Sequence, residues 1–367
     1  MKYILQIFTG GWKKANYTAE AVMKRLNEVT GLLPVEKVII GWNPDEALYK
    51  KVGSLLREKG IDMLLWLPVF AESNDLLDAD EALDIRGNVI KPPKAMGEET
   101  FSFCCPTSLR NRENIFRIYE ENFSGCGFDG VFLDRIRTQS FVSGVQGVLS
   151  CGCPRCRKAF SERGVDLDKV AALCEKKRDY FFNSVGYSLE GGFSFMEELT
   201  DRFFEVKGEL VSEAVCDICG HFKAMGMQTG LDLFAPLMSV FVGQPFKKIS
   251  AKADFIKPML YRKTEAPAGI GFEYELLKKC APDAAGYFDI VTDAGFLKRQ
   301  ALAFSELPCG KYPGIEVNYR EDIARTDPAY IRESLKTLKE AGMDGATLSW
   351  DIMLAPDEHL KAAAECV

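Results

Sequence analysis

Three cysteines fall within six residues, Cys151-Gly-Cys153-Pro-Arg-Cys156, and an adjacent pair, Cys104-Cys105, lies upstream. Thiolates at this spacing, with a glycine and a proline to bend the backbone, suit a closed tetrahedral shell of four sulfurs. Softness and geometry then select zinc, Zn2+, in a structural role. The fourth ligand is expected from Cys105, with Cys104 as the alternative. An iron–sulfur cluster is the other centre such a set can hold, and buried free thiols are the plain alternative. Cys216 and Cys219 with His221 look like a second ligand run. They lie in a helical pattern where Cys216 and Cys219 share a face, and they read as core packing.

A second group of residues closes apolar runs: Asp134, Asp232, Lys257, Tyr261, Glu316, Asn318 and Asp351, with Trp42, Trp66 and Trp350 beside them. A charge inside an apolar strand is costly unless it is paired or used, so several at one end of a sheet carry more meaning than any alone. Two carboxyl groups can hydrolyse a glycosidic bond: one protonates the leaving oxygen, the other attacks the anomeric carbon or activates water. Asp134 is expected as nucleophile or base, and Glu316 or Asp232 as acid. Arg135 and Arg137 can hold Asp134 ionised or bind an anionic substituent. Trp42, Trp66 and Trp350 suit stacking on sugar faces. Lys257, Tyr261, Asn318 and Asp351 complete the expected binding surface.

Each residue also has a structural reading. Asp134, Asp232 and Glu316 can be salt-bridge partners, Asp351 a cap of the final turn, and the tryptophans core. Lys257 can brace Asp232 or Asp134. It also opens a lyase alternative, since a desolvated lysine can form a Schiff base with a carbonyl substrate, with Tyr261 as proton carrier. A further alternative is a carbohydrate-binding barrel without catalysis. The two histidines, His221 and His359, stand at no strand end, which argues against histidine-held catalytic zinc and Ser-His-Asp chemistry.

Positioning these groups falls to a repeated pattern: a short apolar run, a polar turn, an amphipathic helix. Eight runs are predicted as strands, at 3–8, 37–42, 62–69, 130–134, 229–234, 254–261, 314–318 and 345–350. Helices are expected from Thr18, an N-cap, to 29, then at 45–60, 109–123, about 195–225, 273–280, 295–307 and 328–341, with a short one at the end. Runs such as MLLWL and VFL fit strands buried on both faces. No GxGxxG follows the first strand, which disfavours a dinucleotide-binding open sheet. The expected fold is therefore an α/β (β/α)8 TIM barrel, one domain over 1–367. Long insertions at 70–108 and 138–225 follow strands three and four, on the face where barrels build active sites.

The cysteine layout adds a resemblance. One cysteine after strand three, then CxCxxC and Arg-Lys-Ala-Phe160 after strand four, resembles the zinc site of family 42 β-galactosidases, with Cys105, Cys151, Cys153 and Cys156 in matching order. Phe128-Asp-Gly-Val-Phe-Leu-Asp134-Arg-Ile-Arg137 resembles the fourth strand of barrel hydrolase-like proteins. The likeness covers mainly residues 100 to 160 and implies the barrel and the zinc ligands. In those galactosidases an Asn-Glu pair ends strand four and supplies the acid; Asp134 stands here instead. The resemblance therefore does not extend to galactosidase activity.

Composition sets outer bounds. The 367 residues are 47% hydrophobic and 27% charged, with a net charge of −7 and no basic block, which disfavours a nucleic-acid partner. The apolar run after Met1 stops at Phe8, short of a signal peptide, and no stretch reaches the roughly 20 residues of a membrane span. The expectation is a cytoplasmic glycoside hydrolase-like enzyme, a possible homo-oligomer, acting on a small glycoside or oligosaccharide. In such a compartment most of the 12 cysteines stay thiols or metal ligands.

Overall fold

The computed structural model describes residues 1–73, 76–91, 102–188, 192–282 and 290–367, with the backbone alone at 179, 184–188 and 192. Eight strands form its centre: β1 Lys2–Phe8, β2 Val35–Gly41, β3 Asp62–Pro68, β4 Gly130–Asp134, β5 Gln228–Phe234, β6 Phe255–Met259, β7 Gly314–Glu316 and β8 Gly345–Ser349. Each pairs in parallel with the next, and β8 returns to β1 through Lys2↔Gly345, so the sheet is a closed barrel without free edges.

Local chemistry explains the helices around it. In α1 (Ala19–Leu32) the Thr18 hydroxyl accepts from Ala21 N, and in α2 (Glu46–Glu58) Asp45 accepts from Leu48 N. Ser108 caps α3 (Leu109–Asn122) in the same way. These side chains satisfy N–H groups that have no partner inside the helix.

The insertion after β4 holds more structure than the sequence pattern suggests. It contains α4 (Pro154–Glu162), α5 (Leu167–Lys176), an antiparallel pairing of Ser184–Ser188 with Gly192–Phe195, and α6 (Glu198–Ala224). Phe195, expected to open the long helix, belongs to that pairing instead. Further helices around the barrel include α7 (Ile270–Cys280), α8 (Ala294–Leu302), α9 (Pro328–Glu340) and α10 (Asp357–Ala364). Among the described residues, no helix is long and apolar enough to cross a membrane.

The barrel interior is polar at both ends. At the N-terminal end the Lys37 ammonium donates to Asp62 at 2.8 Å and to Gln228 at 2.9 Å. The other end carries the carboxylates, and there the loops of both insertions gather.

Candidate active site and cysteine centre

Cys153 caps α4 and Pro154 occupies its first turn; the Cys153 sulfur accepts from Cys156 N at 3.4 Å. This local geometry turns both sulfurs to one side. Cys105 arrives from the other insertion, fixed by its N–H on Asp80 O and by the Asn111 side-chain amide on its carbonyl. The Sγ atoms of Cys105, Cys151, Cys153 and Cys156 all lie within 4.8 Å of one another, and all four residues are buried. Cys105 Sγ is 3.6 Å from Cys153 Sγ and 3.5 Å from Cys156 Sγ. A tetrahedron with metal–sulfur bonds of about 2.3 Å has edges of about 3.8 Å, so the donor set fits a four-sulfur shell. Cys104 turns away, its sulfur toward Val69 O, which leaves Cys105 as the fourth member.

Backbone contact ties the two insertions together here. A Cβ on Gly152 would lie 2.2 Å from Asp84 O, so only glycine allows this approach. Gly152 N donates to Leu83 O, and Arg155 reaches Asp80 at 3.1 Å.

At the barrel mouth, register pairs Leu133 with Leu231, so Asp134 and Asp232 follow as neighbours on adjacent strands. Asp134 is part-exposed. It accepts from Trp66 Nε1 at 2.9 Å and from Arg135 N at 2.5 Å. Asp232 is 3% exposed, and its Oδ2 accepts from Lys257 Nζ at 2.9 Å while its buried Oδ1 has no partner. Burial pushes the Asp232 carboxyl up to about 7; the Lys257 ammonium opposes this and the Asp134 charge adds to it.

Lys257 also donates to Tyr261 OH at 2.8 Å. Burial works against its charge, but Asp232 and Tyr261 outweigh burial and hold the ammonium above its ordinary range. Burial pushes the Tyr261 hydroxyl up to about 12. The room for Lys257 comes from Gly314, where a Cβ would lie 2.6 Å from Lys257 Cε. This is the brace considered from sequence. An amine held protonated is not the neutral nucleophile that Schiff-base chemistry needs.

The arginines divide. Arg135 pairs with Glu72 at 2.8 Å. Both residues have positive φ, 54° and 63°, an uncommon state for side-chain-bearing residues that concentrates at functional sites. Arg137 is clamped between the rings of Phe103 and Phe234, 4.7 and 4.5 Å from their centroids, and donates to Thr138 O. Burial lowers its guanidinium to about 10 against the support of Glu273, Asp134 and Asp232.

Other expected residues are occupied elsewhere. Glu316 is fully buried. Its Oε1 accepts from Lys263 N, Thr264 N and the Thr264 hydroxyl, and its Oε2 from the Tyr330 hydroxyl. It ties the loop after β6 to α9 and offers no free oxygen to a substrate. Asn318 is spent on the backbone of Trp350 and Asp351. Asp351 caps the turn at Ile352–Leu354, accepts from Tyr17 OH at 2.8 Å, and is pushed up to about 6 by burial. Trp42 is 2% exposed beneath Trp12, and Trp66 packs edge-on against it and Phe8. Trp350 is half-buried and edge-on to Tyr261. Cys219 is buried in α6, and His221 stacks on Phe116.

Sequence reasoning passed over Glu273, which it read only as the start of a helix. Glu273 is fully buried in the first turn of α7, accepts from Ser140 Oγ and Ala268 N, and is raised by burial. Only the fold brings it beside Arg137.

No family model matches the chain, and a search of the curated proteins finds no match. The solved structures do. The glycoside hydrolase domain of PgaB (BpsB) from Bordetella bronchiseptica aligns with TM-score 0.61 at 13% identity, covering 98% of this chain and 97% of that one. Alpha-L-fucosidase isoenzyme 2 from Paenibacillus thiaminolyticus aligns with TM-score 0.56 at 10% identity, over 99% of this chain and 48% of that one. The spore cortex-lytic enzyme SleL from Bacillus megaterium gives 0.50 at 10% identity, over 100% and 73%. At such identities the likeness is one of fold: this chain is a (β/α)8 barrel of the architecture those proteins share.

Proposed function

We propose that the protein is a glycoside hydrolase whose carboxyl pair is Asp134 and Asp232, with a structural zinc ion held by Cys105, Cys151, Cys153 and Cys156. One observation carries the catalytic part: two carboxyl groups are neighbours across β4 and β5 at the barrel mouth, and only one of them is deeply buried. A group near neutrality suits proton donation at ordinary pH, and Asp232 is in that range. In this reading Asp232 protonates the glycosidic oxygen through its unpartnered Oδ1. Lys257, 2.9 Å away, then stabilises the carboxylate that forms. Asp134, more accessible and oriented by the Trp66 indole, attacks the anomeric carbon or activates water. Trp350, half-buried, offers part of its surface to a sugar ring, and Arg137 a clamped cation. Glu316 supports the loops around the pair.

Zinc fits the sulfur spacing, and when bound it cross-links the two insertions beside the mouth. The proposed substrate is a small glycoside or oligosaccharide. A turnover screen of aryl α- and β-glycosides, run on wild type and Asp134→Asn together, tests the proposal. Cleavage of one sugar by wild type, lost by at least about 100-fold in the folded variant, is expected. No cleavage of any sugar, or cleavage untouched by the substitution, would overturn it.

A further inference from the structure

Lys207 lies in the middle of α6, 2% exposed. Its ammonium donates to the carbonyls of Val148 and Phe241, and its Nζ stands 5.8 Å from the Phe204 ring centroid. Among the described residues no carboxylate pairs with it. A buried ammonium satisfied by carbonyl dipoles alone is costly unless an opposite charge lies near. Burial opposes its charge and holds the ammonium below its ordinary range, and Arg137 acts the same way. Val148 stands three residues before Cys151, so the ammonium is anchored to the strap that delivers that sulfur.

The charge of the cysteine centre explains the arrangement. Four thiols binding a divalent cation release four protons and leave a complex of net charge −2, buried with its ligands. We propose that Lys207 is the buried counter-charge of the metal-loaded cysteine centre, a positioning residue that holds the strap before Cys151 and the loop after β5 around that charge. This rests on the zinc reading above. It also gives the Lys207 side chain a task that bridging two carbonyls, within reach of any neutral donor, does not require.

The test compares wild type, Lys207→Met and Lys207→Gln as full chains. Zn2+ affinity is read by competition with a chromophoric chelator, and Co2+ reports four-sulfur ligation through its thiolate charge-transfer bands. The expected result is Zn2+ binding weakened about tenfold or more in both variants, as is usual for residues supporting a ligand shell. Metal-free Lys207→Gln, which keeps a donor for both carbonyls, should resist urea at least as well as metal-free wild type, because the uncompensated charge is gone. Equal Zn2+ affinity, with stability lost equally in loaded and metal-free forms, would reduce Lys207 to a carbonyl bridge and overturn the inference. If Lys207→Met fails to fold, Lys207→Gln keeps a donor for both carbonyls and carries the same comparison. If wild type takes up no Zn2+ and shows no cobalt–thiolate band, the zinc reading falls and the inference with it. If wild type binds and the variants match it, only the inference falls.

Discussion

The Asp232–Lys257 pair makes a prediction that needs no substrate. The Asp232 carboxyl is pushed up to about 7 in the folded protein, whereas an unfolded aspartate titrates near about 3.9. Between these values the native state holds a proton that the unfolded state has released. Stability must therefore fall as pH rises, by about 1.4 kcal/mol per pH unit, and level off above the native value. Other groups titrate too, so the quantity to follow is the difference between wild type and Asp232→Asn. Urea unfolding in steps from about pH 5 to about pH 9 measures it. Wild type should lose stability relative to the variant up to about pH 7 and run parallel to it beyond.

Lys257→Met extends the test. Removing the ammonium 2.9 Å from Oδ2 removes the largest influence that lowers the carboxyl. The levelling point should move up by at least about one unit, and the variant should be less stable by about 3–5 kcal/mol where Asp232 is forced to ionise. A difference between wild type and Asp232→Asn that stays constant across the range would mean that Asp232 is ionised throughout. It would then not be the proton donor. An unmoved levelling point in Lys257→Met would mean that Lys257 does not govern the carboxyl.

Glu316→Gln should destabilise the fold by about 1–3 kcal/mol in urea, because the uncharged amide cannot accept from all four donors. It should leave turnover of a cleaved glycoside within about tenfold of wild type, a far smaller loss than for a catalytic acid. Gly152→Ala should separate the two insertions, since its Cβ would collide with Asp84 O. The expected reading is less bound zinc per chain by elemental analysis and faster proteolysis within 70–108.

The barrel was legible because its strands are buried on both faces and read as unbroken apolar runs. Asp134 even ends β4 where the pattern places it. Strand ends were less legible. The run at 254–261 continues past Met259, but β6 ends there: Leu260 N is shared between Pro258 O and Gly314 O of β7, and Tyr261 O accepts from Ile270 N at the start of α7 instead of from a strand. The CxCxxC spacing announced a ligand shell, while the choice between Cys104 and Cys105 did not follow from adjacency. It depends on which of two consecutive residues faces α4, and therefore on pairing with the 80s segment. Sequence placed Glu316 among the acids because it cannot count donors. Four of them converge on that carboxylate from two other parts of the chain.

Hydrogen-bond saturation sets Asp232 apart from the other strand-end acids: Asp134 too has a donor on each oxygen and differs from Glu316 and Asp351 in its exposure, while off the strands Glu273 keeps one buried oxygen without a partner. Glu316 and Asp351 are buried strand-end acids, yet donors meet both oxygens of each, as a brace or cap requires. Asp232 is as deeply buried, and one of its oxygens is left without a partner. A buried oxygen without a donor is a cost that folding alone does not explain. The cost is least when that oxygen carries a proton, which is the state a general acid occupies before it acts. The positive-φ backbone of Arg135 and Glu72 beside Asp134 is a second local cost at the same mouth. Two such costs converge on the β4–β5 pair, whereas the β7 and β8 acids are saturated. In the proposed reading Asp232 is therefore the proton donor, Asp134 joins it by register and exposure, and the β7–β8 acids brace the frame.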